Sequence, residues 1–201
     1  MIWDLVRSSE TTRAALSTAG HQAATRAAQR ALQISDPRGE HHTIAIEKDV
    51  LGKPEARVLG SAQSVAVSIS HAAPFVCAVA DTAPVLLGTD IERIRPCTTA
   101  VWEACLTPAE KAFIAAAPRR EREMLQIRAW SLKEAVLKAF GVGLRVHPRN
   151  VDVTNALGAT TSTVRIGWRG VWHTATVEWM HLNPTYVAVA VAFPFSARTL
   201  E

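Results

Sequence analysis

Several features that mark common protein classes are scarce or missing in this 201-residue sequence. It has three cysteines (Cys77, Cys97 and Cys105), an odd number without a CxxC pair, which argues against a disulfide framework and a zinc site. No apolar run reaches the length needed to span a membrane. Residues 1–4 lack the basic start and apolar segment of a signal peptide. These absences predict a cytoplasmic protein with reduced thiols.

Low-complexity segments, long lysine runs and obvious flexible linkers are also missing. With 48% hydrophobic and 20% charged residues, the chain should fold around a substantial core, as one large domain or two small lobes. The formal net charge of +4 is a moderate excess. A solvated surface accounts for it, and it also suits a polyanionic ligand or an acidic partner.

The pattern of apolar, turn and capping residues predicts both helices and strands. The predicted helices are residues 8–33, 108–118 and 119–140. The predicted strands are residues 43–46, 65–70, 75–80, 85–90, 151–154, 163–168, 171–180 and 186–193. Short connections with a proline favour an antiparallel meander for the three strands between residues 65 and 90. The last strand is nearly all apolar or small, which predicts a central strand covered on both faces.

A first acidic motif, Gly-Thr-Asp-Ile-Glu, occupies residues 88–92 after an apolar run that is typical of a strand. Residues i and i+2 of a strand point to the same side, so the carboxylates of Asp90 and Glu92 should share one face. Taken alone, this pattern also fits an exposed strand end.

A second motif, Trp-Ser-Leu-Lys-Glu-Ala-Val-Leu-Lys-Ala, occupies residues 130–139. Trp130, Glu134 and Lys138 are spaced i, i+4 and i+8, which stacks them on one helix face. An ordinary helical ion pair is the alternative interpretation. The carboxylates of the two motifs and the lysine could instead converge on a hard cation, since Mg²⁺ prefers oxygen ligands from protein, water and substrate phosphate.

Together with three further pieces, these motifs resemble the 4′-phosphopantetheinyl transferases of the larger, surfactin-synthetase-associated type. The Gly-Lys-Pro at residues 52–54 matches an element of that type, and Ser-Ile-Ser-His at residues 68–71 matches its strand ending in Ser-His. Leu-Thr-Pro-Ala-Glu at residues 106–110 falls where the family often has a helix start. The order and spacing of the pieces cover roughly residues 52–143.

The resemblance implies an α+β fold of two pseudo-symmetric lobes, each a helix packed on a small, mainly antiparallel sheet, with the ligand site between them. We expect an N-terminal lobe at residues 1–95, with the coenzyme A site and the first acidic motif. A C-terminal lobe at residues 96–201 would carry the second motif and the β-rich end. The two-lobe length also implies a monomer.

The implied activity is transfer of the 4′-phosphopantetheine arm of coenzyme A to a serine of an apo acyl or peptidyl carrier protein, with release of 3′,5′-ADP. The implied cofactor is Mg²⁺, with Mn²⁺ as a substitute, and coenzyme A is the co-substrate. Asp90, Glu92 and Glu134 are the metal ligands by match to the family motif. Coenzyme A and carrier proteins are both anionic, which suits the basic chain.

Two residues are the predicted catalytic groups. A serine hydroxyl is a poor nucleophile at neutral pH and needs a base, for which Glu134 is the candidate, directly or through a metal-bound water. Lys138 is expected to bind the pyrophosphate or protonate the leaving ADP oxygen. Lys133, one residue off that helix face, is a candidate phosphate contact, with a solvated lysine as the alternative.

The resemblance also implies the residues that bind coenzyme A. Ser70 and His71 match the family's contact to the 3′-phosphate, and an imidazole can donate to phosphate oxygen. Lys53 and Pro54 would contact the adenosine end through side chain and backbone. Trp130 is interpreted as a packing residue at the junction of the lobes.

Basic residues outside the motifs are less well defined. Arg26 and Arg30, at i and i+4 in the first predicted helix, are candidate phosphate contacts, with a solvated helix face as the alternative. A carrier protein would meet basic and apolar residues of the segment 93–120, which contains Arg93, Arg95, Arg119 and Arg120.

Two other functions are compatible with parts of the pattern. A metal-dependent nuclease also uses acidic residues and a lysine around Mg²⁺, but its lysine position is taken here by Ile94, and aromatic residues are not interleaved with basic ones. We therefore expect no nucleic-acid partner, and no membrane partner. A non-catalytic module that binds carrier protein or coenzyme A is the second alternative, against which the intact acidic and basic set argues.

Overall fold

The computed structural model describes residues 1–37, 42–159 and 161–195. These residues form two five-stranded antiparallel sheets, each packed against helices. This arrangement confirms the predicted α+β fold of two pseudo-symmetric halves.

The first sheet has the strand order β1-β5-β4-β3-β2 and is covered by helix α1. Its elements are β1 (Ile2–Arg7), α1 (Arg13–Ser35), β2 (Ile44–Lys48), β3 (Pro54–Val58), β4 (Ser64–Ala72) and β5 (Phe75–Asp81). The buried face of α1 is mostly alanine, so the helix packs closely on the sheet. The helix begins at Arg13 rather than at residue 8 because Thr12 caps it, accepting from the Ala15 amide at 3.2 Å.

The second sheet has the strand order β6-β10-β9-β8-β7. Its strands are β6 (Val85–Arg93), β7 (Val151–Asp152), β8 (Thr163–Trp168), β9 (Val171–Asn183) and β10 (Tyr186–Pro194). The helices of this half are α2 (Thr99–Cys105), α3 (Pro108–Ala116), α4 (Arg119–Ala139) and α5 (Thr154–Leu157). Strand β10 lies between β6 and β9 and is buried along nearly its whole length, which confirms the predicted central strand.

The predicted meander is wrong in its third strand. Strands β4 and β5 pair as expected, but β6 pairs with β10, in a register that sets Asp90 opposite Val189. A short connection favours pairing between consecutive strands. Here β6 instead pairs with the distant strand β10, because that pairing buries the apolar β10. Strands β1 and β3 were also not predicted. The division into lobes at residue 95 stays a prediction, although strand pairing assigns β6 to the second sheet.

The two sheets meet through hydrogen bonds as well as apolar contacts. The Thr89 amide of β6 donates to Ser68 Oγ of β4 at 3.0 Å, and the Trp3 indole donates to Glu178 Oε2 at 2.8 Å. This contact places the end of β4 beside β6, the strand that carries the first acidic motif. Within the described part of the chain, no helix has both the length and the hydropathy to cross a membrane.

Candidate functional site

Asp90 lies at the centre of a polar cluster between β4, β6 and α4. Its carboxylate is 4% exposed and accepts three side-chain hydrogen bonds. Oδ1 accepts from Lys138 Nζ at 2.6 Å and from Ser70 Oγ at 2.8 Å, and Oδ2 accepts from Ser131 Oγ at 3.0 Å. The structure therefore brings together one residue from each of the three predicted motifs, with Ser131 as an added partner.

Gly88 allows this cluster to form because it lets α4 approach β6 backbone to backbone. A Cβ atom at Gly88 would lie 1.9 Å from the Ala135 carbonyl oxygen and 2.7 Å from the Ala139 amide nitrogen. No side chain fits in that space, so only glycine permits this packing. Glu134 and Lys138 flank the contact, which fixes their distance from Asp90.

Glu92 follows Asp90 by two residues and is held by the second motif. The Trp130 indole donates to Glu92 Oε1 at 3.0 Å. Trp130 also packs against the core of the second half, so it combines the expected packing contact with a hydrogen bond. The indole thus orients a carboxylate that the sequence assigns to the metal site.

The electrostatics of the cluster indicate excess negative charge. Burial, followed by repulsion from Asp90, raises the pKa of Glu134 above its ordinary value, with Glu92 adding to the repulsion and Lys138 opposing it. Burial and Asp90 likewise raise the pKa of Glu92, while its Trp130 bond opposes the shift. Burial lowers the pKa of Lys138, but attraction to Asp90 and Glu134 outweighs it and leaves that pKa raised.

Carboxylates are the ligands that a hard divalent cation prefers, and here three of them repel one another with one lysine, Lys138, to oppose that repulsion. In the described ranges, however, no group of three or more histidine, cysteine, aspartate or glutamate side chains is already arranged around a metal position. Lys138 already pairs with Asp90 Oδ1 at 2.6 Å. The assignment of Asp90, Glu92 and Glu134 as metal ligands stays a prediction.

Lys133 does not reach this cluster. Its side chain is fully buried and forms a 2.9 Å ion pair with Glu110, which is also fully buried. Lys133 Nζ donates to the carbonyls of Pro148 and Val151 as well, and Glu110 accepts from the Val153 amide at 2.8 Å. This position contradicts the predicted phosphate contact, because the lysine points into the core and its charge is already compensated.

A cavity of about 550 Å³ opens beside Lys138, between the two halves of the chain. Its walls come from Lys53 and Pro54, from Ser68 on β4, and from residues 141–145 after α4. Lys53 Nζ donates to the Ala139 carbonyl at 2.6 Å, and burial lowers the pKa of this lysine. The predicted Gly-Lys-Pro element therefore forms a wall of a cavity that reaches the polar cluster.

His71 lies near the end of β4, and its exposed imidazole forms no hydrogen bond or ion pair with any described residue. Arg26 and Arg30 both pair with Asp4 on β1, the former at 2.8 Å. Neither arginine lines the cavity. Their predicted phosphate contact therefore has no support from their position, whereas His71 is free to meet a ligand.

A second groove, of about 470 Å³, has Glu92 and Trp130 in its wall. It is lined mainly by apolar side chains, with Arg95 among them. Arg95 and most of the other lining residues belong to the segment 93–120, in which a carrier-binding surface was predicted, while Glu92, Ile127 and Trp130 complete the wall.

Sequence reasoning missed Ser131 and Gly88. Ser131 precedes Lys138 by seven residues, a spacing that places both on one helix face. A glycine inside a strand is a signal of close backbone approach, and Gly88 carried that signal. The sequence also did not predict that Glu110 is buried and paired with a lysine. Its local pattern indicated only the helix-capping motif that it forms with Thr107.

Two comparisons with known proteins agree with this geometry. A family model of the 4′-phosphopantetheinyl transferase superfamily matches residues 86–190, a range that includes both acidic motifs. The chain is also similar to the 4′-phosphopantetheinyl transferase psf-1 of Bacillus pumilus, with 33% identity over 167 residues. This match covers 79% of the chain and 65% of the relative, so the chain spans about two thirds of the relative's length.

Proposed function

Because the chain belongs to the 4′-phosphopantetheinyl transferase superfamily, we propose that it transfers the phosphopantetheine arm of coenzyme A to a serine of an apo acyl or peptidyl carrier protein. The observation that carries this proposal is the cluster of Asp90, Ser70 and Lys138 beside Glu134. It lies at the wall of a cavity large enough for part of a nucleotide.

The proposed reaction breaks the phosphoanhydride bond of coenzyme A and forms a phosphoester bond to serine. The serine oxygen attacks the phosphorus that bears the pantetheine arm, and the bond from that phosphorus to the bridging pyrophosphate oxygen breaks. The products are the serine-linked phosphopantetheine and 3′,5′-ADP, and the serine proton must be removed. Catalysis of this kind depends on positioning and on stabilising the charge of the phosphate oxygens.

Glu134 is the proposed general base. Its carboxylate forms no hydrogen bond or ion pair with the described residues, so it could accept the serine proton directly or through a water. Its raised pKa makes it a stronger base than an exposed glutamate. Lys138 would supply positive charge to the pyrophosphate or a proton to the leaving oxygen, and its raised pKa, which keeps the amine charged near neutral pH, favours the first role.

Asp90, Glu92 and Glu134 would hold Mg²⁺, for which Mn²⁺ could substitute. The ion would supply charge neutralisation at the pyrophosphate oxygens. The mutual repulsion of the three carboxylates supports this assignment, because a cation would relieve it.

The nucleotide of coenzyme A would lie in the cavity bounded by Lys53 and Pro54, with Ser70 and His71 at the neighbouring end of β4. The net charge of +4 suits an anionic co-substrate and an acidic carrier protein. A carrier protein would approach across residues 93–120, where Arg95 borders an apolar groove. We further propose that the protein acts as a cytoplasmic monomer.

The experiment that tests the proposal is intact-mass spectrometry of an apo carrier protein incubated with this protein, coenzyme A and Mg²⁺. We expect the carrier to gain the mass of one phosphopantetheine, and the gain to disappear with EDTA or with Glu134→Gln. If several carriers gain no mass while calorimetry shows coenzyme A binding, the protein is a binding module and the transferase proposal is wrong.

A further inference from the structure

A side chain of the second sheet is hydrogen-bonded to the tip of the β4–β5 hairpin. Tyr186, at the start of β10, donates its hydroxyl to the Ala73 carbonyl at 2.7 Å. Its ring is 8% exposed and packs edge-on against Phe75, with 4.9 Å between ring centroids and 70° between planes. The contact therefore combines a partly buried hydrogen bond with a fixed ring orientation.

The hairpin tip carries His71. The register pairs His71 with Val76 and Ala72 with Phe75, so the loop consists of Ala73 and Pro74. The imidazole has no partner of its own among the described residues, and only the hairpin backbone determines where it stands. The carbonyl that Tyr186 holds is two residues away from this imidazole.

Tyr186 also sits in register with the acidic motif. On β10, Val187 pairs with Glu92 and Val189 with Asp90, so the tyrosine lies one pair beyond the two carboxylates. Ser70, the neighbour of His71, joins β4 to Asp90 at 2.8 Å, and the Tyr186 hydrogen bond joins the hairpin tip on the other side of His71 to the same sheet. The two bonds together fix the separation between the carboxylates and His71. The Ser8 amide also donates to the Pro74 carbonyl of this loop, at 2.8 Å. Ser8 directly follows β1 of the first sheet, so this bond does not connect the loop to the second sheet.

We propose that Tyr186 is a positioning residue that holds His71 at the distance from the carboxylate cluster required by the 3′-phosphate of coenzyme A. This inference rests on the proposed function. The 3′-phosphate and the pyrophosphate are joined by one ribose, so their separation in a bound nucleotide varies little. The protein groups that contact the two phosphates must therefore stand at a matching separation. Here these groups are His71 and the carboxylate cluster, which lie on different sheets.

Tyr186→Phe tests this role because it keeps the ring contact with Phe75 and removes only the hydroxyl. With coenzyme A, we expect an increase in KM of about three- to tenfold, the size of one lost hydrogen bond, with kcat little changed. With 3′-dephospho-coenzyme A, which lacks the phosphate, the variant should equal the wild type. Calorimetric binding of both nucleotides should show the same contrast.

A double-mutant cycle with His71→Ala determines whether the tyrosine acts through the histidine. We expect His71→Ala to remove most of the preference for coenzyme A, and Tyr186→Phe to add nothing to it. Trp3→Phe is the matched control, since it removes another hydrogen bond between the sheets, the one to Glu178. It should lower the thermal stability without changing the preference between the two nucleotides.

The outcomes separate this inference from the proposed function. Equal losses with both nucleotides, or additive effects of Tyr186→Phe and His71→Ala, would overturn the positioning role while leaving the transferase intact. A wild-type protein that transfers no phosphopantetheine arm would overturn the proposed activity. A wild-type protein that does not distinguish the two nucleotides would overturn the proposed role of His71. Either result would overturn this inference as well.

Discussion

Replacement of Gly88 by alanine should separate the two halves of the candidate site. The added Cβ would lie 1.9 Å from the Ala135 carbonyl oxygen, whereas real contacts of this kind essentially never fall below 3.0 Å. The backbone of α4 must therefore withdraw from β6 by about 1.1 Å, since neither partner is a flexible side chain. Overpacking of this kind lowers the free energy of unfolding by about 1–3 kcal/mol.

The same displacement acts on the polar cluster. Lys138 and Ser131 are carried on α4, and their hydrogen bonds to Asp90 are 2.6 and 3.0 Å long. A shift of about 1 Å breaks or weakens both, and misplacement of this size costs about 10²-fold in rate. Transfer to a carrier protein, measured as kcat/KM, should fall by that factor. The melting temperature should fall by about 2–4 °C for each kcal/mol.

Gly158→Ala is the matched control for this prediction. A Cβ at Gly158 would meet only ring atoms of Phe113, at 2.9 and 3.1 Å, in a part of the fold away from the cluster. It should reduce stability without the 10²-fold loss of activity. A Gly88→Ala protein with the melting temperature and kcat/KM of the wild type would refute the argument that backbone contact between α4 and β6 sets the site geometry.

Three further substitutions test other parts of the reasoning. Glu134→Gln should abolish transfer yet raise the melting temperature at pH 7. The pKa of Glu134 is raised in the folded protein, so the wild type loses stability as the pH rises above 4.5, and the variant does not. The difference in melting temperature should vanish below that pH, and a variant less stable than the wild type at pH 7 would contradict the raised pKa. Lys133→Met should lower the free energy of unfolding by about 3–5 kcal/mol in denaturant titrations, since Glu110 would be left charged and unpaired in the core, whereas a loss below 1 kcal/mol would refute the buried ion pair. Trp130→Phe should weaken Mn²⁺ binding, measured by electron paramagnetic resonance, by about 10–100-fold through loss of the bond to Glu92, and unchanged binding would remove Glu92 from the metal site.

Local patterns predicted most elements of the fold and part of the site. Periodicity and capping residues indicated α3 and α4, because helix ends depend on nearby residues such as Thr107 and Glu110. The i, i+4 and i+8 spacing correctly placed Glu134 and Lys138 on one helix face. Strand β3 was missed although residues 55–58 alternate polar and apolar side chains, because it begins at Pro54, which was assigned to the Gly-Lys-Pro loop. Strand β1 was missed because it directly precedes the helix that was predicted from residue 8.

The partners of each strand and the environment of each charge depended on the tertiary structure. Lys133 and Lys138 look alike in sequence, yet Lys133 is buried against Glu110 and Lys138 pairs with Asp90. The difference arises because the orientation of α4 about its axis determines which residues each face of the helix contacts. Strand β6 pairs with β10 and not with its sequence neighbour β5. Burial, rather than the length of the loop, determines this pairing. The sequence by itself determined which chemical groups are present and which of them share a face. Only the packing of α4 on β6, across Gly88, determined which of those groups meet, because contact between distant segments depends on how the whole core fills.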